Sequence, residues 1–189
     1  MTQISHECIF HERINNRIET CFVMSKVSRS VDISAPVTNV FQYYARPEHI
    51  AKTFPEDVKM KVVPIKIKDG FGVGTVFRVE GEFGGRPLAW DMETVAYENN
   101  KIIQVKAING PFKKNVISVL FEPLSEGTKL TFEADYELGY SIFGKAIDKF
   151  RLKKEIEMGI ERSCQSVKKF IESGKSSSEM ISEIKADAA

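Results

Sequence analysis

Two carboxylates two residues apart are the first candidates for chemistry in this sequence. Asp91 and Glu93 occur in the segment AWDMETV, and a β-strand with that spacing carries both side chains on one face. Paired carboxylates on one face can act as general acid and base, as they do in glycoside hydrolysis. The same spacing also fits a row of ion pairs with basic residues on neighbouring strands. The pairing of the strands therefore decides between the two interpretations.

Two other patterns contain residue types that bind metals or phosphates. The amino-terminal segment has zinc-binding side chains at positions that match no common zinc-finger spacing: His6, Cys8, His11 and Cys21. The run from Gly70 to Gly74 resembles a phosphate-binding glycine loop, but such a loop needs a helix directly after it, and a strand is predicted here. We therefore expect no metal site, no cofactor and only a turn at the glycines.

Nucleophilic catalysis has little support in this sequence. His49 is the only histidine after residue 24, and no Ser-His-Asp or Cys-His arrangement is apparent around it. It falls near the end of a short helix that is predicted to begin at Pro47 and to run through Ala51. We expect His49 to lie on the surface.

The glycine pair Gly84–Gly85 predicts a tight hairpin. Two-residue hairpin loops need positive φ, which glycine adopts freely. Closing the loop on Phe83 and Arg86 places Arg78 opposite Asp91 on one face of the two strands. The opposite face then carries three pairs: Phe77 with Met92, Val79 with Trp90, and Gly81 with Leu88.

A second hairpin is predicted at Asn99–Asn100, because asparagine also tolerates positive φ. Closing it on Glu98 and Lys101 places Glu93 opposite Lys106, on the same face as the first ion pair. The apolar face gains two further pairs: Thr94 with Val105, and Met92 with Ala107. Each carboxylate thus has a basic partner, so a solvated charge ladder is the better interpretation of the pair.

Hydrophobic periodicity predicts the other elements. Residues from Val27 to Ile33 alternate as in a strand, and Pro36 and Pro47 each begin a short helix. A later strand has one apolar face, formed by Leu130, Phe132, Ala134 and Tyr136. The final helix has an apolar stripe, formed by Leu152, Ile156, Ile160, Cys164, Val167 and Ile171. We therefore predict an α+β fold in which a seven-stranded, curved antiparallel sheet surrounds one long carboxy-terminal helix.

One helix cannot fill the apolar face of such a sheet, and aromatic cavities with few polar groups are the usual small-molecule sites. Gly159 lies within the predicted final helix, where glycine costs about 1 kcal/mol of stability relative to alanine. Either a close approach of the helix to the sheet or the need for room for a ligand would explain a glycine at this position. Arg86 at the hairpin mouth either meets a ligand carboxylate or carbonyl, or stays exposed. The candidate ligand-binding residues are Phe77, Val79, Phe83, Arg86, Trp90, Met92, Phe132, Tyr136, Ile156 and Gly159.

Composition favours one cytoplasmic domain. The chain has 189 residues, 42% of them hydrophobic, and a net charge of +1, with no basic block of the kind that binds nucleic acid. It has three cysteines and no apolar run of about 20 residues, which argues against a secreted or membrane-spanning protein. We expect an extension over residues 1–24, with Met24 as an alternative start, a domain over residues 25–172 and a flexible tail over residues 173–189.

The order of these elements resembles the START-like or helix-grip superfamily, in the branch of polyketide cyclase/dehydrase and lipid transport proteins. The resemblance covers residues 26–172 and lies in the opening VSRSVDISAPVTNVFQYYARPEHIAKTFP, in GVGTVFRVEG, in EGTKLTFEADYEL and in the last helix. It implies a helix-grip fold and a small hydrophobic ligand of a lipid-like, quinone-like or aromatic kind. Its members differ too much in their sites for catalytic residues to be carried over.

Three functions follow as hypotheses. The first is non-catalytic binding or carriage of the hydrophobic ligand in an internal cavity, which the lack of a catalytic constellation favours. The second is a cyclase/dehydrase-like enzyme, in which Tyr136 or Arg86 assists enolisation of a polyketide-like substrate. The third is an interaction module of the co-chaperone or ribosome-associated kind, whose protein partner the sequence does not identify.

Overall fold

A computed structural model of the chain describes residues 24–46, 49, 51, 59–68, 71–83, 86–138 and 149–174. Two helices and seven strands have defined bounds in this part of the chain. In chain order they are β1 (Met24–Ile33), α1 (Val37–Tyr44), β2 (Lys61–Lys66), β3 (Val76–Phe83), β4 (Arg86–Glu98), β5 (Ile102–Ala107), β6 (Phe112–Leu124), β7 (Gly127–Leu138) and α2 (Lys149–Glu172).

The seven strands form one antiparallel sheet in the order β1-β7-β6-β5-β4-β3-β2, which confirms the predicted fold class. Strands β2 to β7 are neighbours in sequence order, while β1 returns to pair with β7, for example at Val27 and Ala134. Side chains at alternate positions point to opposite faces. The apolar sides of β1 and β7 therefore fall on the same face of the sheet and form one side of the core.

The predicted β3–β4 register is confirmed. Phe83 pairs with Arg86, and the register continues without a shift to Val76 opposite Glu93. The Arg78 guanidinium donates to both carboxylate oxygens of Asp91, at 2.8 and 3.2 Å. A two-residue loop at Gly84–Gly85 therefore fits both ends of the hairpin, although the two glycines themselves lie outside the described residues.

The β4–β5 turn differs from its prediction. Glu98 pairs with Ile102 rather than Lys101, so the loop has one residue more than expected. Only Asn100 adopts positive φ, at 60°, whereas the predicted loop needs positive φ at both asparagines. A bulge between Thr94 and Ala96 adds one residue to β4 and restores the register. The predicted pairs beyond the bulge, including Glu93 with Lys106, are confirmed for this reason.

The core consists of two apolar clusters. The larger one joins α1 and α2 to β1, β5, β6 and β7, and includes Ile160, Cys164 and Val167 from the predicted helical stripe. Ile156 and Ile171 of that stripe are half-buried, and the side chain of Leu152 lies outside the described part of the structure. The smaller cluster contains only residues of β3 and β4: Phe77, Val79, Trp90 and Met92. Helix α2 lies against β1, far from this smaller cluster in the strand order.

His49 is buried, with 2% of its surface exposed, so the prediction of a surface position is wrong. Its Nδ1 lies 3.2 Å from the backbone oxygen of Tyr43, and the Tyr43 hydroxyl donates to the backbone oxygen of His49. The two rings also contact each other, tilted by 39° at a centroid distance of 5.0 Å. These contacts give His49 a structural role in fixing the chain after α1.

The other sequence patterns have simpler outcomes. Phe71–Gly74 forms a turn and β3 follows it, which confirms the predicted turn, while Gly70 lies outside the described residues. His6, Cys8, His11 and Cys21 also lie outside them, and the described residues contain no cluster of metal-ligating side chains. Within the same residues, no helix is long and apolar enough to cross a membrane.

Burial of Cys164 makes the stability of the core sensitive to alkaline pH. Burial, aided by the charge of Glu161, raises the pKa of the Cys164 thiol from its ordinary 9.0 to about 11. The unfolded chain therefore loses this proton first, and stability falls as the pH rises from 9 to 11. We expect the unfolding free energy of the wild type to fall by about 2 kcal/mol more than that of Cys164→Ala across this range. Urea unfolding at intervals across the range measures the difference, and parallel pH profiles would contradict it.

Candidate ligand-binding cavity

A cavity of about 160 Å³ lies between the two apolar clusters. It is bounded by the inner faces of β2 to β7, by the last residue of α1 and by the first half of α2. Nineteen residues line it: Tyr44, Met60, Val62, Phe77, Val79, Trp90, Met92, Ile103, Val105, Phe112, Asn115, Ile117, Val119, Phe132, Ala134, Tyr136, Ile156, Gly159 and Ile160. On β6 the lining residues extend from Phe112 to Val119, on the side of the strand that faces the core.

Eight of the ten candidate residues line this one cavity. Four come from β3 and β4, two from β7 and two from α2: Phe77, Val79, Trp90, Met92, Phe132, Tyr136, Ile156 and Gly159. The side chains of Phe83 and Arg86 lie outside the described part of the structure, so the position of the Arg86 guanidinium is not described. A role in ligand binding remains a prediction for all ten.

Two polar lining residues were missed by the sequence analysis. Tyr44, the last residue of α1, was not among the predicted candidates, although it is 2% exposed and its ring contacts Phe121 of β6. Asn115 has the same strand parity as Ile117 and Val119, and this parity is the signal that places it inside. Because the segment after it is apolar on both faces, hydrophobicity alone could not show which face is inner.

Trp90 is held in place by the connection between β5 and β6. The Ile108 amide donates to the Asp91 backbone oxygen at 2.9 Å, and Asn109 exchanges two hydrogen bonds with Asp91, one to its amide and one to its carboxylate. Gly110 has φ 99°, and a Cβ there would collide with the Cβ of Trp90. Only glycine allows the loop to approach this closely. The loop therefore fixes the backbone of Trp90, whose indole meets the Phe112 ring edge-on at 5.3 Å.

The two carboxylates lie outside the cavity, as the charge ladder predicted. Arg78 binds Asp91, and Lys106 lies 3.4 Å from Glu93. Hydrogen bonds from Arg78 and then Asn109 lower the pKa of Asp91, so its carboxylate remains ionised. Asp91 is nevertheless buried, because the Asn109 loop covers it. The ion pairs of Asp91 and Glu93 therefore stabilise the outer face of the sheet, and the two carboxylates cannot contact a molecule in the cavity.

The hydroxyl of Tyr44 has an unusual environment. It is buried, and no described residue provides it with a hydrogen-bond partner. Leaving a buried donor unpaired costs about 1–3 kcal/mol, and native structures contain few such groups. Burial, with smaller contributions from Cys164 and Tyr43, raises the pKa of Tyr44 well above 10, so the phenol stays protonated. The group is therefore a neutral hydrogen-bond donor.

Gly159 has open space beside it. No atom lies within 4 Å of the position that a Cβ would occupy, and the residue lines the cavity. A close approach of helix to sheet, one of the two explanations offered by the sequence, is therefore wrong. The glycine widens the cavity at the surface of α2.

The family described as polyketide cyclase / dehydrase and lipid transport matches residues 24–172 of the sequence. The match begins at the first residue of β1 and ends at the last residue of α2. A search of curated proteins finds no significant match.

Solved structures share the fold at low sequence identity. A protein of Thermus thermophilus is similar over 80% of this chain and 100% of its own, with TM-score 0.67 and 19% identity. A START superfamily protein of Mycobacterium smegmatis aligns over 79% of this chain and 99% of its own, with TM-score 0.63 and 17% identity. An aromatase/cyclase from a Streptomyces species aligns over 77% and 92%, with TM-score 0.60 and 18% identity. These likenesses concern the fold alone.

The open space at Gly159 leads to a stability prediction. We expect Gly159→Ala to raise the unfolding free energy by about 1 kcal/mol, because alanine favours the helix and its methyl group meets no neighbour. Urea denaturation followed by circular dichroism measures the change. Gly110→Ala is the contrasting variant, since its methyl group collides with Trp90 and should destabilise the protein. A loss of stability in Gly159→Ala would show that the space beside α2 is occupied.

Proposed function

We propose, from the premise that this chain belongs to the polyketide cyclase/dehydrase and lipid transport family, that it binds and carries a small hydrophobic molecule in the cavity between its two apolar clusters. The observation that carries this proposal is the cavity lining, in which apolar and aromatic side chains from six strands and two helices converge. Such sites use a few polar groups for orientation and apolar contact for affinity.

The volume of the cavity limits the part of a ligand that can be enclosed. Engineered apolar cavities of about 150 Å³ bind benzene. A cavity of about 160 Å³ therefore suits one aromatic ring or a short branched chain, with any longer part following the strands toward solvent. Each 100 Å² of apolar ligand surface removed from water contributes about 2.5 kcal/mol before ordering costs. Burial of a single ring thus supports weak but measurable binding.

Binding fits the lining better than catalysis does. None of the described residues that line the cavity is a histidine, lysine, arginine, aspartate or glutamate. Enolisation or cyclisation of a polyketide-like substrate needs a base near the reacting carbon, and the described lining offers only hydroxyl, amide and indole groups. The cyclase/dehydrase alternative therefore depends on groups beyond the described lining, such as the Arg86 side chain.

A substitution that fills the cavity tests the proposal. We expect Gly159→Leu to fold normally and to weaken binding of the hydrocarbon probe α-methylstyrene by at least about tenfold, because the leucine side chain takes the place of the probe. Isothermal titration calorimetry measures the affinity. Fluorescence of Trp90, the single tryptophan of the chain and a lining residue, gives a second signal.

Met158→Leu is the matched control, because it changes the neighbouring residue of the same helix and Met158 is exposed. It should bind the probe as the wild type does. If the wild type bound no hydrocarbon probe, or if both variants lost affinity equally, the proposed site would be wrong. Native mass spectrometry of the purified wild type and of Gly159→Leu is a second test. A small molecule that binds in this cavity should copurify with the wild type and not with Gly159→Leu.

A further inference from the structure

The described cavity lining includes four residues with a nitrogen or oxygen atom in the side chain: Tyr44, Trp90, Asn115 and Tyr136. The two tyrosine hydroxyls and the indole nitrogen are sealed, each with less than 1 Å² of accessible surface. The Asn115 amide is not among the sealed atoms, and no described residue forms a hydrogen bond with it. Asn115 therefore differs from the other three in having a side-chain polar group that is both unpaired and accessible.

The accessible side of the Asn115 amide lies toward the cavity. The residue is 7% exposed, and it has the same inward strand parity as Ile117 and Val119. Its partner in the β6–β7 register is Tyr136. Because these three neighbours on the inner face all line the cavity, the space beside the amide is the cavity itself.

The chemistry of an unpaired amide limits the groups that suit it. The asparagine side chain has an NH2 group that donates and an oxygen that accepts, and a half that stays unpaired in a buried site is unfavourable. A ketone pairs with the NH2 group alone. A carboxamide or a lactam carries an acceptor and a donor side by side, so it pairs with both halves of the amide.

The uncharged wall excludes the ionised relatives of such a group. No described lining residue carries a charge, so a carboxylate in the cavity would lose its hydration without gaining a cation. A carboxylate also lacks the donor that the oxygen of Asn115 accepts. The cavity therefore favours a neutral group that both donates and accepts.

We infer that Asn115 orients the ligand, and that it selects neutral hydrophobic molecules with a carboxamide or lactam group over ketones, carboxylates and hydrocarbons of the same shape. This inference rests on the proposed function and narrows its ligand class. The Asn115 NH2 group donates to the ligand carbonyl, and the Asn115 oxygen accepts from the ligand N–H. The aromatic and aliphatic wall holds the remainder of the molecule.

Three probes of nearly equal shape separate the two halves of the amide: benzamide, acetophenone and α-methylstyrene. Benzamide offers an acceptor and a donor, acetophenone offers the acceptor alone, and α-methylstyrene offers neither. We expect Asn115→Leu, which keeps the branching of the side chain, to weaken benzamide binding by at least about tenfold and acetophenone binding by about threefold. One net hydrogen bond corresponds to about twofold to tenfold. The affinity for α-methylstyrene should stay the same or rise. Calorimetry at pH 7.5 measures all the affinities.

Ser118→Ala is the matched control. Ser118 lies on the same strand with the opposite parity, where its hydroxyl oxygen lies 2.9 Å from the Gln104 amide nitrogen. This variant should leave the three affinities unchanged. Urea unfolding without ligand gives a second measurement, in which Asn115→Leu should keep or raise the midpoint because it removes an unpaired buried amide. A lower midpoint with equal losses for all three probes would show a structural role for Asn115 and overturn the inference.

The outcomes distinguish this inference from the function on which it rests. If the wild type binds none of the three probes, both are wrong. If the probes bind and Asn115→Leu weakens benzamide no more than acetophenone, the amide has no role in ligand choice and only the inference falls. The cavity then remains the binding site, with shape and apolar contact as its means of selection.

Discussion

The structure depends on a mismatch between one helix and a seven-stranded sheet. The buried residues of α2 pack over the end of the sheet where β1 and β7 lie, and Phe41 of α1 fills the neighbouring space against Phe121. The inner faces of β3 and β4 are at the other end of the strand order, where no described helix covers them. Two apolar clusters form instead of one, and the described side chains that contact both are half-buried: Val105, Phe112 and Ile117. The cavity follows from this geometry.

A cavity of this size lowers the free energy of unfolding of a small domain. Closed empty volume costs about 24 cal/mol per Å³, which sets an upper limit of about 4 kcal/mol for the 160 Å³ of this partly open cavity. The total stability of a domain is typically about 5–15 kcal/mol. Larger side chains at Gly159, Ala134 or Val119 would recover part of this stability by filling the space. Gly159 and Ala134 therefore keep space open at a cost in stability, which is consistent with the binding function proposed above.

The sequence predicted the fold well where turn chemistry and strand parity acted together. Gly84–Gly85 predicted the β3–β4 register because glycine can supply positive φ at both positions of a short loop, and the pairing of the two described strands agrees with that prediction. Asn99–Asn100 predicted the wrong loop, yet the pairs beyond it were correct, because an added residue in the turn and an added residue in the β4 bulge offset each other. No pattern in the sequence marks that bulge. His49 was misjudged for a related reason: its burial depends on backbone contacts with Tyr43, which residue type alone does not reveal.

Two polar residues of the cavity wall could not be predicted from hydrophobic patterns, because those patterns treat a polar residue as evidence that its side chain faces solvent. Asn115 and Tyr44 are informative for the opposite reason, because each interrupts an inward-facing apolar series. In a core that only had to fold, an aliphatic residue of similar size at either position would avoid burying a polar group. Polar side chains at inward positions, together with a helix glycine that has open space beside it, are therefore the features on which the binding function proposed above rests. In this chain the three features meet at one cavity, and this convergence, rather than any one aromatic residue, distinguishes its wall from the rest of the core.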